Sequence, residues 1–181
     1  MSSLRQSDEP RKREEARELT ELLYKFNIGS IYHDSEIIVP VEEVRITSFF
    51  GDRRIFLYAD DRTSSSIHHG IDFAGARGTE VHACGAGRVV MAKERILTGL
   101  TAIVEHLPGV YSLYFHMDTL SVEPGQMVAA GELLGTVGST GLVTGSHLHW
   151  EMRISGIPVD PYVFVEESII DKDHILSIIT P

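Results

Sequence analysis

Residues 101–117, TAIVEHLPGVYSLYFHM, hold the pattern on which the fold turns. Two runs rich in β-branched and aromatic residues flank Leu107-Pro108-Gly109. Runs of that kind joined by so short a connection read as antiparallel strands of a hairpin. Similar runs lie on either side, at 43–51 (EVRITSFFG), 79–94 (TEVHACGAGRVVMAKE), 131–141 (GELLGTVGSTG) and 147–154 (HLHWEMRI). Val, Ile, Thr and aromatics dominate them, and glycines punctuate them. No long helical pattern and no repeat occurs between residues 40 and 160. The chain is therefore expected to be mainly β, an antiparallel sheet domain over residues 41–165, and not a parallel α/β fold.

Outside that region the periodicity changes. Residues 10–26 read as an amphipathic helix opened by Pro10, with Leu19, Leu22, Leu23 and Phe26 on one stripe, ended by Gly29-Ser30. We assign residues 1–40 to an N-terminal helical extension whose apolar stripe packs on the main domain, with a partner-binding or linker helix as the alternative. A tail over 166–181 mixes acids with Ile169, Ile170, Ile175, Leu176, Ile178 and Ile179, and from Pro161 onward the pattern suits a strand or a short docking helix equally. The 181 residues carry 16 Lys+Arg against 26 Asp+Glu, a net charge of −10, which disfavours binding to a phosphate backbone. No apolar run is long enough to span a membrane, and the polar start MSSLRQSDEPRKREEARELT does not read as a secretory signal. The single cysteine, Cys84, excludes an internal disulfide and a cysteine-based zinc knuckle.

The nine histidines carry the chemistry. In an extended chain alternate side chains share a face. In Thr144-Gly145-Ser146-His147-Leu148-His149-Trp150-Glu151, His147, His149 and Glu151 then face one way, and Leu148 and Trp150 the other. In Ser66-Ile67-His68-His69-Gly70-Ile71-Asp72, His68 shares a face with Asp72 and His69 does not. In Tyr111-Ser112-Leu113-Tyr114-Phe115-His116-Met117, His116 is expected on a polar face with Ser112 and Tyr114. Two neutral imidazoles and a carboxylate suit zinc, with a position left for water, and further histidines beside the ion can act in proton transfer. His33, His82, His106 and His174 read as structural.

These motifs occur in an order that resembles the LytM/lysostaphin-type zinc metalloendopeptidases, which cut peptidoglycan cross-bridges or stem peptides. Thr47-Ser48-Phe49-Phe50-Gly51-Asp52-Arg53 is similar to that family's S-x-F-G-x-R, and His68-His69-Gly70-Ile71-Asp72 to its H-x-G-x-D. Gly78-Thr79-Glu80-Val81, Gly85-Ala86-Gly87-Arg88-Val89 and Tyr114-Phe115-His116 match its middle. Gly131-Glu132-Leu133-Leu134-Gly135, Thr144 to His149 and Val159-Asp160-Pro161 match its close, with Ser146 where proline is frequent. The likeness covers about two thirds of the chain, from Ile46 to Pro161. It implies a two-layer antiparallel β fold, His68, Asp72 and His149 as zinc ligands, and His116 and His147 as catalytic histidines outside the ligand set. It also implies a bacterial periplasmic, envelope or extracellular place of action on peptidoglycan peptides.

Rival readings are weaker. The 122–135 hairpin is also similar to lipoyl and biotinyl carriers, but no lysine lies between Lys93 and Lys172 to accept the group. A structural zinc site would need a fourth protein ligand, and no cysteine lies near the histidine pairs. The alternative of the same fold is a non-catalytic or autoinhibited domain that regulates cell-wall amidases by binding. Such domains typically lack zinc ligands, whereas all three candidates are present here.

Overall fold

The computed structural model describes residues 8–34, 36–42, 44–57 and 63–171. Numbered along the chain, helix α1 is Glu9–Leu23, and the strands are β1 Arg45–Ser48, β2 Arg53–Leu57, β3 Thr63–Ile67, β4 Ile71–Ala74, β5 Glu80–His82 and β6 Gly87–Arg95. They continue as β7 Gly99–Leu107, β8 Val110–Leu120, β9 Met127–Val128, β10 Leu133–Val137, β11 Leu148–Ile154 and β12 Ile157–Val159, before helix α2, Pro161–Glu166. Strand dominates and every pairing is antiparallel. The order β1-β4-β11-β8-β7-β6-β9 forms the main sheet, with β10 joining β5 to β8 and β12 closing on β11. β2 and β3 pair as a separate ribbon.

The hairpin read at 101–117 is the centre of this sheet, β7 and β8 around Pro108-Gly109, and Gly109 takes the positive φ (78°) that so tight a reversal demands. Across β4, β11 and β8 the register sets Asp72, His149 and Phe115 side by side, with Ile71, Trp150 and Tyr114 on the next rung. The two faces of the sheet therefore differ. Ile71, Phe73, Tyr114, Leu148, Trp150 and Met152 bury one face against Val81 of β5, Ala83 just after it, and Leu134 and Val137 of β10. That second layer is possible because the end of β8 leaves its β7–β11 neighbours and pairs with β10.

The opposite face, which carries Asp72 and His149, is covered farther along by α1. Leu23 is buried with Met91, Ile103, Tyr111, Leu113 and Phe115, and Leu19 and Leu22 pack beside it. The helix thus lies on the same face as the histidines. It ends at Leu23, with Tyr24 as its cap, three residues short of the expected Phe26. Phe26 consequently drops off the stripe and is exposed. The tail forms α2, capped by Asp160, whose carboxylate accepts from the Tyr162 amide at 3.0 Å. Ile169 and Ile170 pack partly against the main core. Ile175, Leu176, Ile178, Ile179 and His174 lie outside the described residues.

One strand rule fails where it matters. Leu100 pairs with Met117 and Ala102 with Tyr114, so Phe115 and His116 together oppose Thr101. This is a β-bulge. His116 takes φ 63°, a conformation uncommon for a non-glycine residue. The expected face shared by Ser112, Tyr114 and His116 is not formed. Ser112 and Tyr114 are wholly buried in a chain of hydrogen bonds with Cys84 and His106. The bulge turns His116 away from them to the Asp72–His149 face, and moves Met117 into the core with Tyr114.

Candidate metal centre

His68 Nε2, Asp72 Oδ1 and His149 Nδ1 converge at the N-terminal end of β11. The three separations are 3.0 Å (His68–Asp72), 2.9 Å (His68–His149) and 2.7 Å (His149–Asp72). All three residues are buried, at 3%, 7% and 8% exposure, so bulk water does not separate them. Gly70 makes the approach possible. A β-carbon there would stand 2.2 Å from the Trp150 carbonyl oxygen and 2.8 Å from Glu151 Cγ, so only glycine lets the His68–Asp72 segment run against β11.

The groups behind these atoms decide where the protons are. His68 Nδ1 lies 2.8 Å from the Phe49 carbonyl oxygen, an acceptor, so Nδ1 carries the hydrogen and Nε2 is left bare. His149 Nε2 lies 2.9 Å from Glu151 Oε1, so it donates to that carboxylate and leaves Nδ1 bare. Asp72 turns its other oxygen, Oδ2, to the Arg54 guanidinium. Burial would raise the Asp72 carboxyl, but the His149 and His68 imidazoles that face it hold it well below the ordinary carboxylate range. In those neutral tautomers three lone pairs point to one place, their atoms within 3.1 Å of one another. A cation satisfies that arrangement. Zinc bound at ~2.0–2.1 Å sets its tetrahedral ligand atoms ~3.3 Å apart, so a few tenths of an ångström of outward movement would seat it. The donor set fits the metal.

Two further histidines face the same point. The His116 and His147 ring centroids are 4.9 Å apart, and His147 Nε2 lies 3.8 Å from Asp72 Oδ1. Each is anchored through Nδ1, His116 to the Thr140 carbonyl at 2.9 Å and His147 to the Gly145 carbonyl at 2.9 Å. In the neutral ring each therefore turns its Nε2 lone pair toward the cluster. Burial pushes His116 down to about 4, against a smaller upward pull from the Thr140 carbonyl. His69, on the other strand face, is exposed. His33 and His106 serve the fold: His106 is fully buried between the Ala86 carbonyl and Ser112, and His33 accepts from the Ala86 amide at 3.3 Å. His82 pairs with Glu80 at the surface.

The groups behind the donor atoms, Glu151 and Arg54, carry no assigned role in the sequence reading. Glu151 is 4% exposed and linked to Arg153 as well as to His149. The period-2 count had placed Glu151 on the face of His149, and that was a usable signal for its role. Arg54 had no such signal. The S-x-F-G-x-R likeness falls on Arg53, which is exposed, while its neighbour reaches Asp72 and also donates to Ser48 Oγ at 3.1 Å.

Residues 66–161 match the profile described as Peptidase family M23. Over 124 residues the chain is 40% identical to DD-carboxypeptidase/endopeptidase Mpg of Neisseria meningitidis serogroup B, which covers 68% of this chain and 28% of that protein. It is 36% identical over 116 residues to peptidoglycan DD-endopeptidase ShyA of Vibrio cholerae, 64% of this chain and 26% of the relative. It is 37% identical over 105 residues to murein hydrolase activator NlpD of Salmonella dublin, 58% and 28% of the two lengths. The matched region is thus little more than a quarter of each of these relatives. Among solved structures, a Pseudomonas aeruginosa protein assigned to peptidase M23 superposes with a TM-score of 0.75 at 31% identity, covering 88% of this chain and 63% of that one. A zinc-containing peptidase from Vibrio cholerae superposes with a TM-score of 0.64 at 31% identity, covering 71% and 40%.

Proposed function

The chain belongs to peptidase family M23, and on that footing we propose that it is a zinc-dependent endopeptidase cleaving amide bonds in peptidoglycan cross-bridges or stem peptides, in the cell envelope. The observation that carries this reading is the convergence of three potential donor atoms, His68 Nε2, Asp72 Oδ1 and His149 Nδ1, within 3.1 Å of one another, beside two further histidines tied through Nδ1 to backbone carbonyls. When bound, zinc supplies the Lewis acidity that polarises an amide carbonyl and makes water nucleophilic near neutral pH.

The residues of the chain do the rest. His147, partly exposed beside Asp72, takes the proton of the attacking water through Nε2 and returns one to the leaving amine. His116, partly buried and held below the ordinary histidine range, stays neutral and orients reacting groups through its Nε2. Phe115 stacks on the His149 ring, 5.3 Å between centroids and 5° from parallel, and keeps water from its flank. The likeness to a murein hydrolase activator favours a second reading, a binding domain without turnover. The complete donor set speaks for the enzyme.

Digestion of purified peptidoglycans of differing cross-bridge type, with mass analysis of the fragments, tests the proposal. Wild-type protein loaded with zinc should release new amine and carboxyl ends. His147→Ala should keep its zinc and lose ~10²–10⁴-fold in rate. Retention of the polymer by zinc-loaded protein without any new end would instead establish the binding reading. His68→Ala should lose the metal, and His69→Ala should keep it; the reverse would overturn the ligand set.

A further inference from the structure

Helix α1 does more than cover an apolar face. Its Glu15 reaches the β6–β7 turn, and that turn is built into the support of His116. Glu15 Oε2 accepts from the Ile96 amide at 2.9 Å, and the Glu15 backbone carbonyl accepts from Arg95 Nη2 at 2.8 Å. Arg95 is 5% exposed and also reaches Thr98 Oγ1 through Nη1 at 3.4 Å. Arg11, one turn earlier in the helix, holds the Glu15 carboxylate at 2.9 Å.

From the turn the contacts continue to both ends of His116. The Thr98 carbonyl accepts the His116 backbone amide at 2.8 Å, at the bulge where φ is 63°. Leu97 accepts from the Leu142 amide at 2.9 Å, and the Leu100 amide donates to Thr140 Oγ1 at 2.8 Å, so the turn also grips the 138–142 loop. Thr140 in turn holds the His116 ring through its carbonyl and donates from Oγ1 to the Met117 carbonyl at 2.7 Å. The fit is close: a β-carbon on Gly99 would lie 2.2 Å from Thr140 Oγ1. Backbone and ring of His116 are thus both fixed by one turn-and-loop unit, and the described end of that unit is anchored on Glu15. Residues in sparsely populated conformations persist only when their surroundings over-determine them.

We propose that Glu15, on α1, is a positioning residue for His116: it pins the Arg95–Thr98 turn and so keeps the bulged conformation that aims the His116 ring at the donor cluster. The effect on turnover rests on the function proposed above; the effect on His116 itself does not.

The experiment uses the full chain with Glu15→Ala, Glu15→Gln and, as a control on the same helix, Glu18→Ala, which removes an exposed pair with Lys93 and a carboxylate charge near Arg95 but no hydrogen bond to the turn. Gln keeps an acceptor for the Ile96 amide. Amide hydrogen exchange of His116 should accelerate tenfold or more in Glu15→Ala, while Ile103 and Leu113 in the sheet stay within about twofold of wild type. Glu15→Gln should restore most of the protection, and Glu18→Ala should leave it unchanged. With zinc content still one per chain, kcat on peptidoglycan fragments should fall about tenfold or more in Glu15→Ala with little change in KM, since small misplacements of a reacting group cost of this order. Unaltered His116 exchange in Glu15→Ala would overturn the proposal. So would equal acceleration across the sheet, which would reveal a general loss of stability. If wild-type protein cleaves no substrate, the function proposed above fails, and the exchange measurement still decides the role of Glu15.

Discussion

Glu151 gives the sharpest quantitative test of the site. Its carboxylate receives His149 Nε2 at 2.9 Å on one oxygen, and Arg153 Nε at 2.6 Å and Nη2 at 2.5 Å on the other. Burial works against its charge, yet the His149 hydrogen bond and Arg153 hold its carboxyl below the ordinary range, so it is ionised at neutral pH. In Glu151→Ala the hydrogen on His149 Nε2 loses its acceptor. The other tautomer, with the hydrogen on Nδ1, gains one instead, because Asp72 Oδ1 is 2.7 Å away. In that tautomer His149 cannot ligate. Loss of such a group behind a metal ligand weakens binding ~10–100-fold, or about 1.4–2.8 kcal/mol. Glu151→Gln keeps an acceptor for His149 but turns amide hydrogens or a neutral oxygen toward Arg153, so its loss should be smaller, within about tenfold. Competition between the protein and a chromogenic chelator for zinc, run on folded samples of all three proteins, measures these differences. Folded Glu151→Ala that holds zinc within threefold of wild type would refute the argument that Glu151 sets the His149 tautomer.

His106 predicts a pH dependence of stability. It is fully buried, and burial lowers it to about 4 against an ordinary 6.5. The unfolded chain therefore takes up a proton below 6.5 that the folded chain refuses, so stability falls between pH 6.5 and 4, by about 3 kcal/mol in all, and this contribution levels off below 4. Urea unfolding of wild type and His106→Gln at pH 7 and pH 4.5 should show the variant less stable at pH 7 and with the shallower decline. Equal declines would remove His106 as the cause. Leu23→Ala, deleting a helix side chain that is 4% exposed against Ile103 and Leu113, should cost ~2–5 kcal/mol and lower Tm by several degrees. A loss below about 1 kcal/mol in a thermal unfolding scan would mean that α1 is only loosely seated.

The parts of this protein that rest on local rules are legible along the chain. Period-2 alternation separated His68 from His69 and put His149 and Asp72 on the faces that meet in register between β4 and β11. The Pro108-Gly109 reversal and the dense β-branched runs identified the central hairpin, and the spacing of Leu19, Leu22 and Leu23 identified the covered stripe of α1. These features follow from geometry repeated every two or every 3.6 residues, which a single chain displays. Tertiary structure decided the rest. A strict alternation buries His116 with Ser112 and Tyr114, and only a bulge, opposed by Thr101 and held by Thr98 and Thr140, brings it to the face of Asp72 and His149. Whether Arg53 or Arg54 reaches Asp72 depends on how the β2–β3 ribbon meets β4, and the end of α1 at Leu23, which leaves Phe26 in solvent, on where the sheet stops offering apolar partners. The side of the sheet that α1 covers is likewise set by residues some 80 positions away in the chain, through Glu15 with Arg95 and Ile96. A bulge, a register and a helix seat are agreements between distant segments, and their energies exist only once those segments are in contact.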